Sequence, residues 1–292
     1  MTPFRLLVFL FLFSAGKIFA QDSAYSADRA FADHLLKNQL HRDAALQLGN
    51  MNDRYTLSPA QHDSLEFQLG ESLERTGRKD AAARAFHAVS PGSVFFTRAV
   101  CSNALVQLQQ ENYAELESVF NNVSAGDSAL AGIRSYGLLA AALLQDDTAQ
   151  FRKLVQDNSS AGILYREENG EFKRLMEQEQ RLRSIKKKSP FVAGALSAIV
   201  PGLGKVYAGK PRHGLAAFTP VAVLGVQAFE AYRKGGIKDA RFIGYASLFS
   251  VFYLGNIYGS ALTVRVQRRE TINDVHYVVQ ADLSFALQRL RR

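Results

Sequence analysis

Two regimes of hydrophobic patterning divide the chain. Residues 22–188 are polar and rich in helix formers, whereas residues 189–264 are rich in Gly, Ala, Phe, Val and Tyr. In the second regime three stretches are apolar nearly all round: 191–209 (FVAGALSAIVPGLGKVYAG), 214–232 (GLAAFTPVAVLGVQAFEAY) and 242–264 (FIGYASLFSVFYLGNIYGSALTV). They lack the polar face that a helix on a soluble surface presents. Crossing a bilayer takes about twenty apolar helical residues. The third stretch meets that length, the second is borderline, and Pro201 interrupts the first. Gln227, Glu230 and Asn256 are the polar interruptions that a soluble helical core would use instead. Gly204, Gly225, Gly244, Gly255 and Gly259 favour the membrane reading, because small residues let membrane helices pack closely.

The polar regime repeats itself. In LGESLERTGRKDAAARAFHAV, Leu69, Gly70, Leu73, Gly77, Ala82, Phe86 and Val89 fall on the spacing of a tetratricopeptide repeat, with Leu73 replacing the usual aromatic. Small Gly70 and Ala82 let two antiparallel helices approach, Gly77 allows the turn between them, and Phe86 fills the space toward the next pair. The pattern recurs 34 residues on, where Phe120, Val123, Leu116 and Ala104 match Phe86, Val89, Ala82 and Gly70. A later copy is expected through SYGLLAAALLQDDTAQFRKLV, with Leu154 at the Phe position. An earlier one covers FADHLLKNQLHRDAALQLGNM, with Ala44 or Ala45 and Leu48 in the matching roles. Residues 24–165 thus resemble about four degenerate tetratricopeptide repeats. A plain antiparallel bundle accounts for the same spacing, and either reading is all-helical. Residues 166–188 are highly charged, with Phe172, Leu175, Met176 and Leu182 as a sparse stripe, and read as a solvated linker helix.

PGLGKVYAGKPRHG, between the first two apolar stretches, resembles the PGxGQxYxGxxxxG signature of small bacterial membrane hairpins of the TM2 type. Pro201, Gly202, Gly204, Tyr207, Gly209 and Gly214 match, and Lys205 replaces the usual Gln. FYLGNIYGS resembles the end of such modules in envelope proteins, through Phe252, Tyr253, Gly255, Asn256, Tyr258 and Gly259. The resemblance covers residues 189–270 and implies no reaction. The residues themselves explain a bend. Proline removes an amide donor, glycine permits a tight reversal, and Lys205 and Tyr207 suit a headgroup layer. A phosphate-cradling loop needs GxxxxGK[ST] after a strand, and here Val206 stands where Ser or Thr belongs.

Composition sharpens the picture. The net charge of +8 concentrates at Lys186–Lys188, at Arg265, Arg268 and Arg269, and at Arg289, Arg291 and Arg292. Clusters that border greasy segments suit lipid headgroups, and without interleaved aromatics they point away from nucleic acid. Arg5, the apolar run 6–13 and Ile18-Phe19-Ala20 read as a cleaved export signal over residues 1–20. That places a repeat domain at 24–165 in the periplasm, a linker at 166–188, a membrane module at 189–270 and a basic amphipathic tail at 271–292. Three spans put the tail in the cytoplasm. Two spans, with the first stretch at the interface, put the 233–241 loop inside and the tail outside. Three membrane-embedded segments are the preferred arrangement.

No catalytic pattern emerges. The six histidines form no HExxH pair, no GxSxG occurs, and the lone Cys101 has no basic partner motif. No enzyme, metal or cofactor is expected. Glu230 reads as locally paired with Arg233 or Lys234, and Asn256 as an interhelical hydrogen bonder. The chain therefore reads as an all-α protein, a degenerate tetratricopeptide-like helical solenoid followed by a transmembrane helical module. Its expected role is protein–protein interaction or scaffolding in the bacterial inner membrane, with an unknown protein partner, membrane lipids and no nucleic acid. The alternative is an accessory or pore-forming transport subunit, in which Glu230 and Asn256 face one polar cavity.

Overall fold

The structure, a computed structural model, describes residues 23–124, 128–160 and 170–291. The expected export signal at 1–20 lies outside them. Among the described residues the protein is all-helical, with 13 helices and no strand. In order they are α1 (residues 23–37), α2 (His41–Arg54), α3 (Pro59–Arg75), α4 (Lys79–His87), α5 (Phe96–Gln109), α6 (Tyr113–Asn121) and α7 (Ser128–Leu144). There follow α8 (Thr148–Ser160), α9 (Gly170–Lys186), α10 (Pro190–Ile199), α11 (Leu203–Tyr207), α12 (Pro211–Gly235) and α13 (Ala240–Arg291).

The first eight helices come in four pairs, and each pair is joined by a turn with one left-handed residue. Those residues are Gln39 (φ 59°), Gly77 (φ 78°), Glu111 (φ 55°) and Asp146 (φ 60°). In three turns the next residue's amide reaches back five positions: Leu40 to Leu35 at 3.0 Å, Arg78 to Leu73 at 2.9 Å and Asn112 to Gln107 at 3.0 Å. This bond, closed over a left-handed residue, satisfies helix-end carbonyls and stops the helix cleanly. Restarts are capped by side chains. The Ser58 hydroxyl and Gln61 form a reciprocal capping box on α3, and Asn112 caps α6. Asp147 accepts from the amides of Ala149 and Gln150 at the head of α8.

The chain divides into two compact units. One holds α1–α7, α8 from Lys153, and α13 from Gln280. The other holds α8 up to Arg152, α9–α12, and α13 up to Val279. In the first unit glycine meets phenylalanine twice. A Cβ on Gly70 would lie 2.6 Å from the Phe86 ring, and one on Gly137 would lie 2.3 Å from the Phe120 ring. Phe86 thus covers the partner helix of its own pair, rather than filling only the gap to the next. Phe67 stacks on Phe95 with centroids 5.2 Å apart and tilts against Phe86 at 5.9 Å. Ala82, Leu116 and Leu48 are fully buried, as repeat packing requires. Leu154 is only half-buried. Phe151, one helical turn earlier in α8, is fully enclosed.

Two elements differ from expectation. The linker helix α9 is solvated on one face only: Lys173, Arg174, Glu177 and Arg181 are exposed, but Leu175, Leu182 and Ile185 are buried, and so is Glu179, which accepts from Arg152 Nε at 3.0 Å. The basic tail is not a separate element but the end of the 52-residue α13. Its Leu283 and Leu287 are buried, Gln280 donates to the Tyr113 hydroxyl at 2.7 Å, and Arg291 pairs with Glu74 at 2.7 and 3.0 Å. These partners all belong to the first unit.

Candidate functional site

The PGLGKVYAG stretch folds as a tight double reversal. Ser189 caps α10 and Pro190 opens it. The helix runs for 10 residues, about 15 Å at ~1.5 Å per residue. Pro201 and Gly202 end it, with Gly202 at φ +87°. The five residues of α11 follow, then Gly209 at φ +97° and the start of α12 at Pro211. Side-chain-free positions hold the turn together. A Cβ on Gly202 would lie 2.1 Å from the Gly214 carbonyl oxygen, and one on Gly204 would lie 1.9 Å from the Ala193 carbonyl oxygen. A Cβ on Gly214 would meet Val206 Cγ2 at 2.7 Å. Only glycine permits such backbone approaches together with a positive φ.

A polar chain ties the reversal to α13. The Gly204 amide donates to Ser197 Oγ at 2.9 Å, and Ser197 Oγ donates to Ser260 Oγ at 2.7 Å; both serines are fully buried. The Tyr253 hydroxyl donates to the Ala198 carbonyl. At the other end of α10, the Tyr207 hydroxyl accepts from the Ser189 amide at 3.1 Å, and Lys188 Nζ reaches the Ala208 carbonyl at 3.1 Å. The segment therefore leaves at the level where it entered. Its 10-residue helix spans only about half of the ~30 Å hydrocarbon core of a bilayer. The first apolar stretch is a half-length hairpin whose helix is too short to cross a bilayer by itself. Two helices, α12 and α13, are long and apolar enough to cross a membrane.

The glycines inside those two helices behave differently from those of the turn. A Cβ on Gly244, Gly255 or Gly259 would meet nothing within 4 Å, whereas one on Gly225 would touch Phe249 at 3.2 Å. Close helix approach was expected along the apolar helices, but it concentrates in the reversal. Gly255 and Gly259 instead leave space, and that space is a cleft of about 690 Å³. Ala216, Ala217 and Pro220 line it from α12, and Lys205, Lys210 and His213 lie at one end.

Asn256 also lines the cleft. It is 6% exposed, and neither its Oδ1 nor its Nδ2 has a hydrogen-bond partner. The expected interhelical bond from Asn256 is not formed; Ser197 and Ser260 supply that bond. A buried amide left unsatisfied costs about 1–3 kcal/mol. Glu230 lies elsewhere. It is exposed, accepts from Lys234, and is not among the cleft residues. The two polar candidates do not share a cavity.

The first unit carries a groove of about 320 Å³ between α4, α5 and α6. Asn103 and Gln107 lie along one face of α5 in this groove, with Gln107 Nε2 donating to Asn103 Oδ1 at 3.3 Å. Arg84, His87, Glu115, Ser118 and Asn122 also line it, with the apolar Ala83 and Val119. Nothing in the chain's repeat spacing singled out Asn103 or Gln107. Burial pushes the Cys101 thiol up to about 11, against a smaller opposing pull from Arg291. Burial likewise raises the Glu66 carboxyl, although His62 and a hydrogen bond from Asn52 pull it down. Among the described residues, no group of three or more His, Cys, Asp or Glu side chains is placed to hold a metal ion.

No protein-family model, curated protein or solved structure matches this chain.

Proposed function

We propose that the protein is a membrane-anchored helical-repeat scaffold of the bacterial envelope. Its tetratricopeptide-like solenoid grips a protein partner, and its TM2-like module holds that solenoid at the inner membrane. One contrast carries the reading. The first unit encloses most of its large apolar side chains, with exceptions such as Phe31, Leu46 and Val94, whereas α12 and α13 leave Leu215, Val226, Phe229, Val251, Leu254 and Tyr258 more than half exposed to whatever surrounds them. Helices that are hydrophobic and outward-facing suit lipid better than water. The repeated left-handed turns support the solenoid, whose stacked pairs offer an extended binding face. The Asn103–Gln107 groove suits an extended peptide, because amide side chains pair with backbone groups.

The topology of the proposal is two spans. Chain from α1–α7 and chain from Gln280 onward build one unit, so the number of crossings between them is even. The short connection between α12 and α13 is flanked by Arg233, Lys234, Lys238 and Arg241. Short loops are where basic residues govern orientation, while large domains translocate largely regardless of charge. The loop therefore faces the cytoplasm and the repeat unit the periplasm.

The experiment uses the full chain. The protein is expected to stay in the pellet after an alkaline membrane wash. A photo-crosslinker at Ser118, beside the groove, is expected to capture a discrete protein that one at exposed Leu46 does not. Release into the supernatant sinks the anchor; identical adducts from both positions sink the groove.

A further inference from the structure

We infer that the cleft between α12 and α13 binds one anionic phospholipid, with an acyl chain along its floor and the headgroup phosphate held by Lys205, Lys210 and His213. The inference rests on the membrane placement proposed above.

The shape of the cleft comes from missing side chains. Gly255 and Gly259 face open space, with Ala216 and Ala217 opposite. The α13 residues that line it run from Val251 to Val266. At ~1.5 Å per residue this is about 22 Å, more than half of the ~30 Å hydrocarbon core, so one leaflet's chain fits along it.

The chemistry at its open end is that of an anionic headgroup. Lys205 and His213 make no ion pair among the described residues, and Lys210 has only Glu270 at 3.5 Å. Depth is fixed by the hydrogen-bond chain from Gly204 through Ser197 to Ser260. That chain sets Lys205 close to the level of Ser260, one helical turn from Asn256. A basic side chain and an unpaired, enclosed carboxamide thus line the same cleft. A phospholipid carries a phosphate for the basic side chains and, deeper, an ester carbonyl that would accept from the Asn256 amide. A second copy of this chain fits less well. A symmetric partner in the same membrane would bring its own Lys205, Lys210 and His213 to the same depth, charge against charge.

The test is native mass spectrometry of the full chain in a mild non-ionic detergent. The probes are dioleoyl phosphatidylglycerol, dioleoyl phosphatidylcholine and inorganic phosphate. One phosphatidylglycerol is expected to bind at least tenfold more tightly than phosphatidylcholine, and millimolar phosphate is not expected to displace it. Gly259→Leu, which fills the cleft where a Cβ meets nothing, is expected to abolish binding. Lys205→Gln with His213→Gln is expected to erase the preference for phosphatidylglycerol while leaving weak binding of both lipids. If Gly259→Leu fails to fold, Gly255→Leu and the charge variants decide. Equal binding of the two lipids overturns the proposal. So does displacement by phosphate alone, or a lipid-free dimer that Gly259→Leu breaks. A chain that is soluble and monodisperse without detergent overturns the membrane placement itself; a membrane-bound chain without lipid preference overturns only the site.

Discussion

Replacing Gly204 by alanine probes the tightest approach of a backbone oxygen to any described glycine. The new Cβ would stand 1.9 Å from the Ala193 carbonyl oxygen and 2.7 Å from Ser197 Oγ. Carbon and oxygen ordinarily approach no closer than about 3.3 Å, so α11 must move away from α10 by more than 1 Å. Overpacking of this kind costs about 1–3 kcal/mol. The shift also weakens the Gly204–Ser197 hydrogen bond, worth about 1 kcal/mol. Alanine's better helix propensity offsets up to about 1 kcal/mol. The net loss is about 2 kcal/mol, or about 4–8 °C in the unfolding midpoint of a unit of this size. Gly244→Ala is the matched control, since its Cβ meets nothing within 4 Å. That change is expected to be neutral or stabilising by about 1 kcal/mol. The assay is thermal unfolding by circular dichroism of purified protein in mild detergent. A Gly204→Ala midpoint within 1 °C of the parent, or equal to that of Gly244→Ala, would refute the packing argument.

Other outcomes follow from the first unit. Gly137→Ala is expected to destabilise by about 1–3 kcal/mol, and Phe120→Leu to restore part of that loss, because the two residues occupy one space; additive losses in a denaturation cycle would contradict the contact. Arg291→Gln breaks a partly buried pair with Glu74 and is expected to cost about 1–3 kcal/mol and to expose the end of α13 to trypsin; unchanged proteolysis would count against it. For Glu66 the folded carboxyl is raised, so its penalty is complete at neutral pH and is relieved as pH falls through the raised value. Glu66→Gln should therefore gain most over the parent near pH 7 and lose that advantage in acid; a gap that widens in acid would reverse the sign. Cys101, enclosed and with its thiol pushed up to about 11, should resist maleimide at pH 7 until the protein unfolds.

Much of the architecture was legible in the chain, for a physical reason in each case. The breaks at Gly77 and at Pro201-Gly202 were readable because those residue types are the ones a left-handed turn or a lost amide demands. The equivalent turns at Gln39, Glu111 and Asp146 were hidden, because non-glycine residues occupy the left-handed position there. This is also why only one repeat resembled its pattern well. The reversal itself was readable from Pro201, Gly202 and Gly204, but the half-length of its first arm was obscured because apolar residues continue through α11. The apolar stripe of α9 was readable, but the width of its buried face was not, since Glu179 and Gln178 read as solvent-facing and are enclosed, Glu179 in a tertiary pair with Arg152. Asn256 was singled out by being polar in a greasy stretch. Its unpaired state and the cleft beside it depend on Gly255, Gly259 and the facing alanines, which only packing brings together.

The account turns on the chain crossing the membrane twice and returning to the side it left. Because Cys101 is enclosed and is the chain's lone cysteine, introduced cysteines report cleanly. Val94→Cys, Ile237→Cys and Phe285→Cys all stand at exposed positions. With a membrane-impermeant maleimide on intact spheroplasts, the first and third should label and the second should label only after lysis. Opposite behaviour of positions 94 and 285, or labelling of all three before lysis, would contradict the two-span arrangement.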